Sequence, residues 1–380
     1  MPFVPFNRPY VGRVGEKYVL EALQSNHHSG DGPWSALVSD RLSQMAGGGP
    51  VWLTPSGTDA LELACMALGL GPGDEVIVPS FTFSSTATAP ERQGATVRFA
   101  DVDPVTLSLD AATVAPRLTD RTRAVIAVHY GGQASDLTQL TDLLDARGIA
   151  LVEDAAHALG GAQGGRPFGS FGALACLSFH ETKNLSCGEG GALVVNDAPL
   201  TDAVEQIREK GTDRSKFFRG QVDKYTWVSP GSSFLLSDIL AAMLAGGLED
   251  WSQTQASRHR AWRAYATDLA DFARTRGFTL HPLITGNGHP AHLYYLLAPT
   301  AEDRDSLLAH CRANDVLAVS HYQPLAESLE GRRASAPHGD VCPVATDASA
   351  RLLRLPLFAG ISDDEVQRVL EVVHSWEGRA

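Results

Sequence analysis

The sequence predicts an α/β fold: a mostly parallel central sheet with helices on both faces, and a smaller C-terminal α+β domain. Three observations predict it. From about residue 50, short apolar runs rich in β-branched residues alternate with segments of helical periodicity. The runs are apolar throughout, as strands covered on both faces are. After about residue 237 that alternation stops and long helical stretches take over.

The elements follow in order. "SGTDALELACMALGL" carries Leu61, Ala64, Cys65 and Leu68 at helical spacing, and Ser56 with Asp59 fits a capping box at its start. "GPGD" breaks the chain before the strand-like "EVIVPS". "TVRFAD", "RAVIAVHY" and "IALVED" read as further buried strands, with "DLTQLTDLLDARG" as a helix ending at Gly148. "ALACLSFH" and "GALVVND" flank a polar, Gly-rich stretch and read as two more strands. "SDILAAMLAGGLEDWSQTQASRHRAWRAYATDLADFA" reads as long helix in two pieces. "LYYLLAP" and "VLAVSHY" read as isolated strands, and Ser362 with Glu365 as a capping box on a last helix with the stripe Val366, Val369, Leu370 and Val373. We divide the chain into a large α/β domain over 1–250 and a small α+β domain over 251–380.

Composition narrows the function. With 380 residues, 44% of them hydrophobic, the chain can bury a sizeable core. A formal net charge of -13 argues against general nucleic-acid binding, which needs basic surface. Five cysteines without a C-x-x-C pair fit a reduced, cytoplasmic setting and give no zinc signature or other metal site. The start "MPFVPFNRPYVGR" lacks the apolar stretch of a secretory signal, and no run approaches the length of a membrane span.

In a parallel sheet, ligands collect beyond the carboxyl ends of the strands. "IALVED" ends in Asp154, with His157 close behind. "ALACLSFH" ends near Ser178, and Lys183 follows. The helix after the first strand-like region opens with Ser56, Gly57 and Thr58, and "VIVPS" leads into Phe83. Singly, each has an ordinary reading: Asp154 as a helix cap, Phe83 as core, His157 as a hydrogen-bonded half-buried ring, Lys183 as a solvated loop charge. "SGTDAL" lacks P-loop spacing and "GEGG" is no dinucleotide fingerprint. Together they form one set: free N–H groups and a hydroxyl at a helix N-terminus for a phosphate, an aspartate for a pyridinium nitrogen, a flat ring as cover, and a lysine for a Schiff base. Pyridoxal 5′-phosphate (PLP) requires those parts.

The order and wording of "SGTDAL", "GDEVIVPSFTFSSTA", "VEDAAHALG", "SFHETKN" and "GEGGALVVND" resemble the fold-type I PLP-dependent aminotransferases, and more narrowly the DegT/StrS family of sugar aminotransferases. "IREKGTDRSKFFRGQVDKYTW", "GSSFLLSD" and "RLLRLPLF" resemble the branch that makes dTDP-4-amino-4,6-dideoxyhexoses, typified by dTDP-4-amino-4,6-dideoxygalactose transaminase. The resemblance implies PLP, with pyridoxamine 5′-phosphate as its amino form. It implies L-glutamate as donor and the C4 keto group of a dTDP-4-keto-6-deoxyhexose as acceptor. Lys183 is then the Schiff-base lysine and proton shuttle, and Asp154 the pyridinium partner. His157 lies near the ring hydroxyl, Gly57, Thr58 and Ser178 at the phosphate, and Phe83 on the ring.

The resemblance also implies a homodimer with shared active sites, in which Ser233 reaches the partner's phosphate. Many relatives have G-Y-N-Y-R-M where this chain has "GSSFLL", with Ser233 in place of Asn and Leu235 in place of Arg. "HYQPL" continues with Ala326 where many relatives have histidine, so no catalytic histidine is assigned there. Arg214, Arg219, Lys224 and Tyr225 stand in a basic-aromatic stretch suited to a diphosphate and a base, or else form a solvated loop. Three rival functions use the same parts: a C3 aminotransferase, a PLP sugar dehydratase, whose relatives replace the lysine with histidine, and a non-catalytic regulatory protein on this fold.

Overall fold

The apolar runs of the first 200 residues assemble into one seven-stranded sheet. The computed structural model describes residues 3–283, 287–336 and 338–378. In chain order the strands are β1 (Val51–Thr54), β2 (Glu75–Pro79), β3 (Thr96–Ala100), β4 (Thr122–Val128), β5 (Ala150–Asp154), β6 (Leu174–Ser178) and β7 (Gly191–Val195). Their spatial order is β1-β7-β6-β5-β4-β2-β3. Contacts from β6 through β5, β4 and β2 to β3 are all parallel; β7 alone runs against its neighbours, β6 and β1.

Successive residues of a strand face opposite sides, so each strand feeds two cores. Val76 and Val78 belong to one, and Ile77 to the other; Val152 and Leu151 divide in the same way. Helices cover both faces, which explains why the runs lack polar alternation. The same alternation separates two adjacent carboxylates at the end of β5. Glu153 is fully buried and accepts N–H bonds from Gly169 (2.8 Å), Phe171 (2.6 Å) and Gly172 (2.7 Å), with His129 Nε2 at 2.8 Å. Asp154 turns to the other side.

Several boundaries differ from the sequence reading. The helices α1 (Arg13–Gln24) and α2 (Pro33–Met45) precede the sheet and had no strong sequence signal. Helix α3 (Gly57–Ala67) has the expected cap, with Ser56 Oγ accepting from the Asp59 N–H at 3.0 Å. The reciprocal half of the box is replaced: Ser56 Oγ donates to Asp59 Oδ2 at 3.0 Å. After α4 (Ser85–Arg92), α5 (Leu137–Asp145) stops before Gly148, which takes φ +64°. The long C-terminal helix comes in three pieces, α6 (Asp238–Glu249), α7 (Trp251–Asp268) and α8 (Ala270–Arg276), the last closed by Gly277 at φ +75°.

Beyond them lies a four-stranded antiparallel sheet in the order β8-β9-β11-β10, from β8 (Thr279–Leu280), β9 (Tyr294–Leu297), β10 (Val319–Ser320) and β11 (Leu352–Leu355). Helix α9 (Asp363–His374) carries the expected capping box of Ser362 and Glu365, and its stripe Val366, Val369, Leu370 and Val373 is buried. The N-terminal residues join this part: Val4 pairs with Val316 and lies in the same core. Among the described residues, no helix is long and apolar enough to cross a membrane.

Candidate active site

Where the carboxyl ends of the central strands meet the small sheet, the chain encloses a cavity of about 620 Å³. Gly57, Thr58, Phe83, Asp154, His157, Ser178 and Lys183 all line it. The structure thus brings together every cofactor position read from the sequence except Ser233.

Each is placed by a local cause. The α3 N-terminus presents free backbone N–H groups, and Thr58 Oγ1 and Ser85 Oγ stand 2.6 Å apart beside it. A Cβ on Gly57 would meet Ser178 Cβ at 2.9 Å, so only glycine lets the strand end approach this closely. Asp154 sits at the tip of β5 with Oδ2 accepting from Thr86 Oγ1 (2.9 Å) and Oδ1 from the Ala156 N–H (3.2 Å). Those bonds fix the carboxylate without neutralising it. The Gly131 N–H donates to His157 Nδ1 at 3.4 Å, leaving Nε2 as that ring's N–H donor. Burial holds His157 well below the usual imidazole range, with Lys183, His292, His321 and Arg354 adding to the effect. It is a neutral donor.

Lys183 lies in the loop between β6 and β7, its N–H bonded to His180 O at 2.9 Å. Burial lowers its amine to about 8; the Asp154 charge opposes the fall and the Arg354 charge adds to it. A lysine so placed has a substantial neutral fraction near neutral pH, as a nucleophilic amine requires.

These groups fit PLP: an anion cradle at one end, a fixed carboxylate, a neutral N–H donor, and an amine of lowered pKa. Phe83 stands at the rim, 57% exposed, with its ring 6.3 Å from that of Tyr322.

The small sheet supplies residues that sequence reasoning gave no role. His292, His321, Tyr322 and Arg354 all line the cavity. The His292 ring stacks on His157 at 4.2 Å, and its Nδ1 meets Asn184 Oδ1 at 2.8 Å. Tyr130 Oη meets His321 Nδ1 at 3.0 Å. The available signal was position: all four lie in "AHLYY", "SHY" and "RLLRLPLF", which end or form small-domain strands.

The other expected residues lie outside this cavity in the same chain. Ser233 is exposed and forms an isolated bridge with Glu209. Arg214 pairs with Glu209 (3.4 Å) and Arg219 with Glu205 (2.8 Å). Lys224 and Tyr225 are exposed.

Known structures share the fold over nearly the whole chain. The aminotransferase TlmJ from Streptoalloteichus hindustanus is 28% identical, with a TM-score of 0.89 over 98% of each chain. DesV from S. venezuelae, solved in complex with a ketimine intermediate, is 29% identical, with a TM-score of 0.89 over 100% of each chain. A putative sugar aminotransferase from Streptococcus pneumoniae, Spr1654, in its PMP form, shares the fold at 24% identity, with a TM-score of 0.88 over 98% of each chain. The model of the DegT/DnrJ/EryC1/StrS aminotransferase family matches residues 11–374, and the chain belongs to that family.

Proposed function

We propose that this aminotransferase uses PLP to move an amino group from L-glutamate to C4 of a dTDP-4-keto-6-deoxyhexose, giving a dTDP-4-amino-4,6-dideoxyhexose. One observation carries the chemistry: Lys183 and Asp154 face a single cavity that also holds the anion cradle of Gly57, Thr58 and Ser178. Retention of both also speaks against a dehydratase and against a non-catalytic protein. The choice of C4 is supported by the likeness of "FFRGQVDKYTW", "GSSFLLSD" and "RLLRLPLF" to the C4 branch.

When bound, PLP supplies an aldehyde that carries the amine and a protonated ring that accepts electron density from the reacting carbon. The chain does the rest. The α3 N-terminus, Thr58 and Ser178 would anchor the phosphate. Asp154 would hold the proton on the ring nitrogen, and His157 Nε2 would donate to the ring oxygen. With PLP bound, Lys183 Nζ, once free of the cofactor, would remove the donor's α-proton. In the second half Lys183 delivers a proton to C4 of the sugar. One base serves both directions because it is covalently tied only between turnovers.

The test is incubation with PLP, L-glutamate and dTDP-4-keto-6-deoxyglucose, followed by NMR of the sugar product. A nitrogen at C4 is the expected result. A faster reaction with a 3-keto-6-deoxy substrate would assign the chain to C3 amination, and no amine from either would reject the reading.

A further inference from the structure

We propose that His292 and Asn184 are positioning residues for His157: Asn184 fixes the His292 ring, and that ring lies flat on His157 and holds its Nε2 toward the cofactor's ring oxygen. The inference rests on the PLP reading above and adds to it two residues that had no role.

His157 is poorly held by hydrogen bonds. Among the described residues its ring has one partner, the Gly131 N–H, which reaches Nδ1 at 3.4 Å. That is close to the outer limit for such a bond. His129 differs, because its Nε2 meets Glu153 Oε2 at 2.8 Å. The last torsion of a histidine is broad and roughly two-fold, so one long bond leaves the imidazole free to turn. A turned ring offers carbon where the cofactor needs an N–H. What restrains His157 is a flat neighbour: the His292 ring lies 4.2 Å away at an interplanar angle of 23°.

His292 can restrain another ring because its own is fixed, through three separate parts of the chain. A carbonyl only accepts. The Pro290 carbonyl takes Asn184 Nδ2 at 2.7 Å and Gln255 Nε2, on α7, at 3.0 Å. Asn184 Nδ2 also donates to Gln255 Oε1 at 3.1 Å. Both ends of the Asn184 amide are thereby assigned, and its Oδ1 is the atom that meets His292 Nδ1 at 2.8 Å. The His292 proton must then sit on Nδ1. Burial keeps both His157 and His292 well below the usual imidazole range, so two neutral rings stack without repulsion. Asn184 adjoins Lys183 in the chain, so the same amide braces the lysine loop and the His157 ring together.

The test has an arm without cofactor and an arm with it. In the apoprotein, nitrogen NMR of the histidine rings should find the proton on Nδ1 of His292 and on Nε2 of His157. A proton on Nε2 of His292 would overturn the proposal. In the PLP-loaded protein, the absorbance of the bound cofactor is titrated with pH. A donor to the ring oxygen favours its anionic form, so losing that donor should move the midpoint up by about one pH unit. His292→Ala and His157→Phe should each show that shift, and the double variant should show no more than His157→Phe alone. Lys183, His321 and Arg354, which also act on His157, are present throughout and cancel in the comparison. An unmoved midpoint in His292→Ala would overturn the proposal. So would a shift that persists in full when His157 is already phenylalanine, since His292 would then act without it. Should His292→Ala not fold, Asn184→Ala, which frees the His292 ring without removing it, takes its place in the same cycle. Wild-type protein that forms no borohydride-fixed link to PLP would instead defeat the PLP reading itself.

Discussion

Two opposite charges act on one amine at Lys183, and each can be removed separately. With its pKa near 8, roughly a quarter of the amine is neutral at pH 7.5, against about one part in a thousand for an ordinary lysine. Only the neutral amine attacks an aldehyde. The rate of PLP attachment, trapped with borohydride, should therefore rise with pH to a midpoint near 8. Arg354→Met removes a cation that disfavours protonation, so its midpoint should move up. Asp154→Asn removes an anion that favours protonation, so its midpoint should move down. Midpoints unmoved in both variants would mean that burial alone sets the value. Gly57 offers a second measurement at this scale. Alanine there places a Cβ 2.9 Å from Ser178 Cβ. Overpacking of this kind costs about 1–3 kcal/mol, so spectral titration should show PLP binding weakened by roughly tenfold or more.

Secondary-structure elements meet at close backbone contacts that sequence alone does not reveal. Helix α1 lies against α6 with Gly15 facing Gly246, where a Cβ on Gly246 would come within 2.3 Å of Gly15 Cα. Gly246→Ala must push the two helices apart and should cost about 1–3 kcal/mol in denaturant unfolding. An unchanged midpoint would mean that α1 gives way freely. The strands that carry the cavity were legible because burial on both faces leaves runs such as "VIV" and "ALV" with no polar residue. The first two helices were not, because α1 exposes Leu20 and Leu23 and opens without a side-chain cap. Asp154 and Lys183 were legible only as members of a set at neighbouring strand ends, because singly each reads as a helix cap or a solvated loop charge. Arg354 was not, because an arginine between leucines on a short strand reads equally as an edge charge. Its place in the cavity wall depends on which sheet stands opposite, and that is a tertiary fact.

At the scale of the whole molecule, the stretch 213–227 presents exposed aromatic and basic side chains. In the single chain Phe218 is 69% exposed and Trp227 77%, and Arg219 and Lys224 stand among them. We expect this surface, with Ser233, to serve a partner subunit's cavity in a C2 homodimer, whose isologous interface would make two equivalent sites. Lys183→Ala subunits would keep Arg219, and Arg219→Ala subunits would keep Lys183. Mixing the two inactive proteins, with exchange confirmed by mass, should restore part of the activity through the one intact site of each mixed dimer. No recovery after confirmed exchange, or activity in a monomer, would return Arg219 to its own chain. The cavity has a different kind of division within the chain. Gly57, Asp154, Ser178 and Lys183 stand on the large sheet or its adjoining loops and helix, while His292, His321, Tyr322 and Arg354 stand on or beside the small one. The two walls of one cavity are therefore written in separate stretches of the gene, and either can change in descent while the other is inherited unaltered.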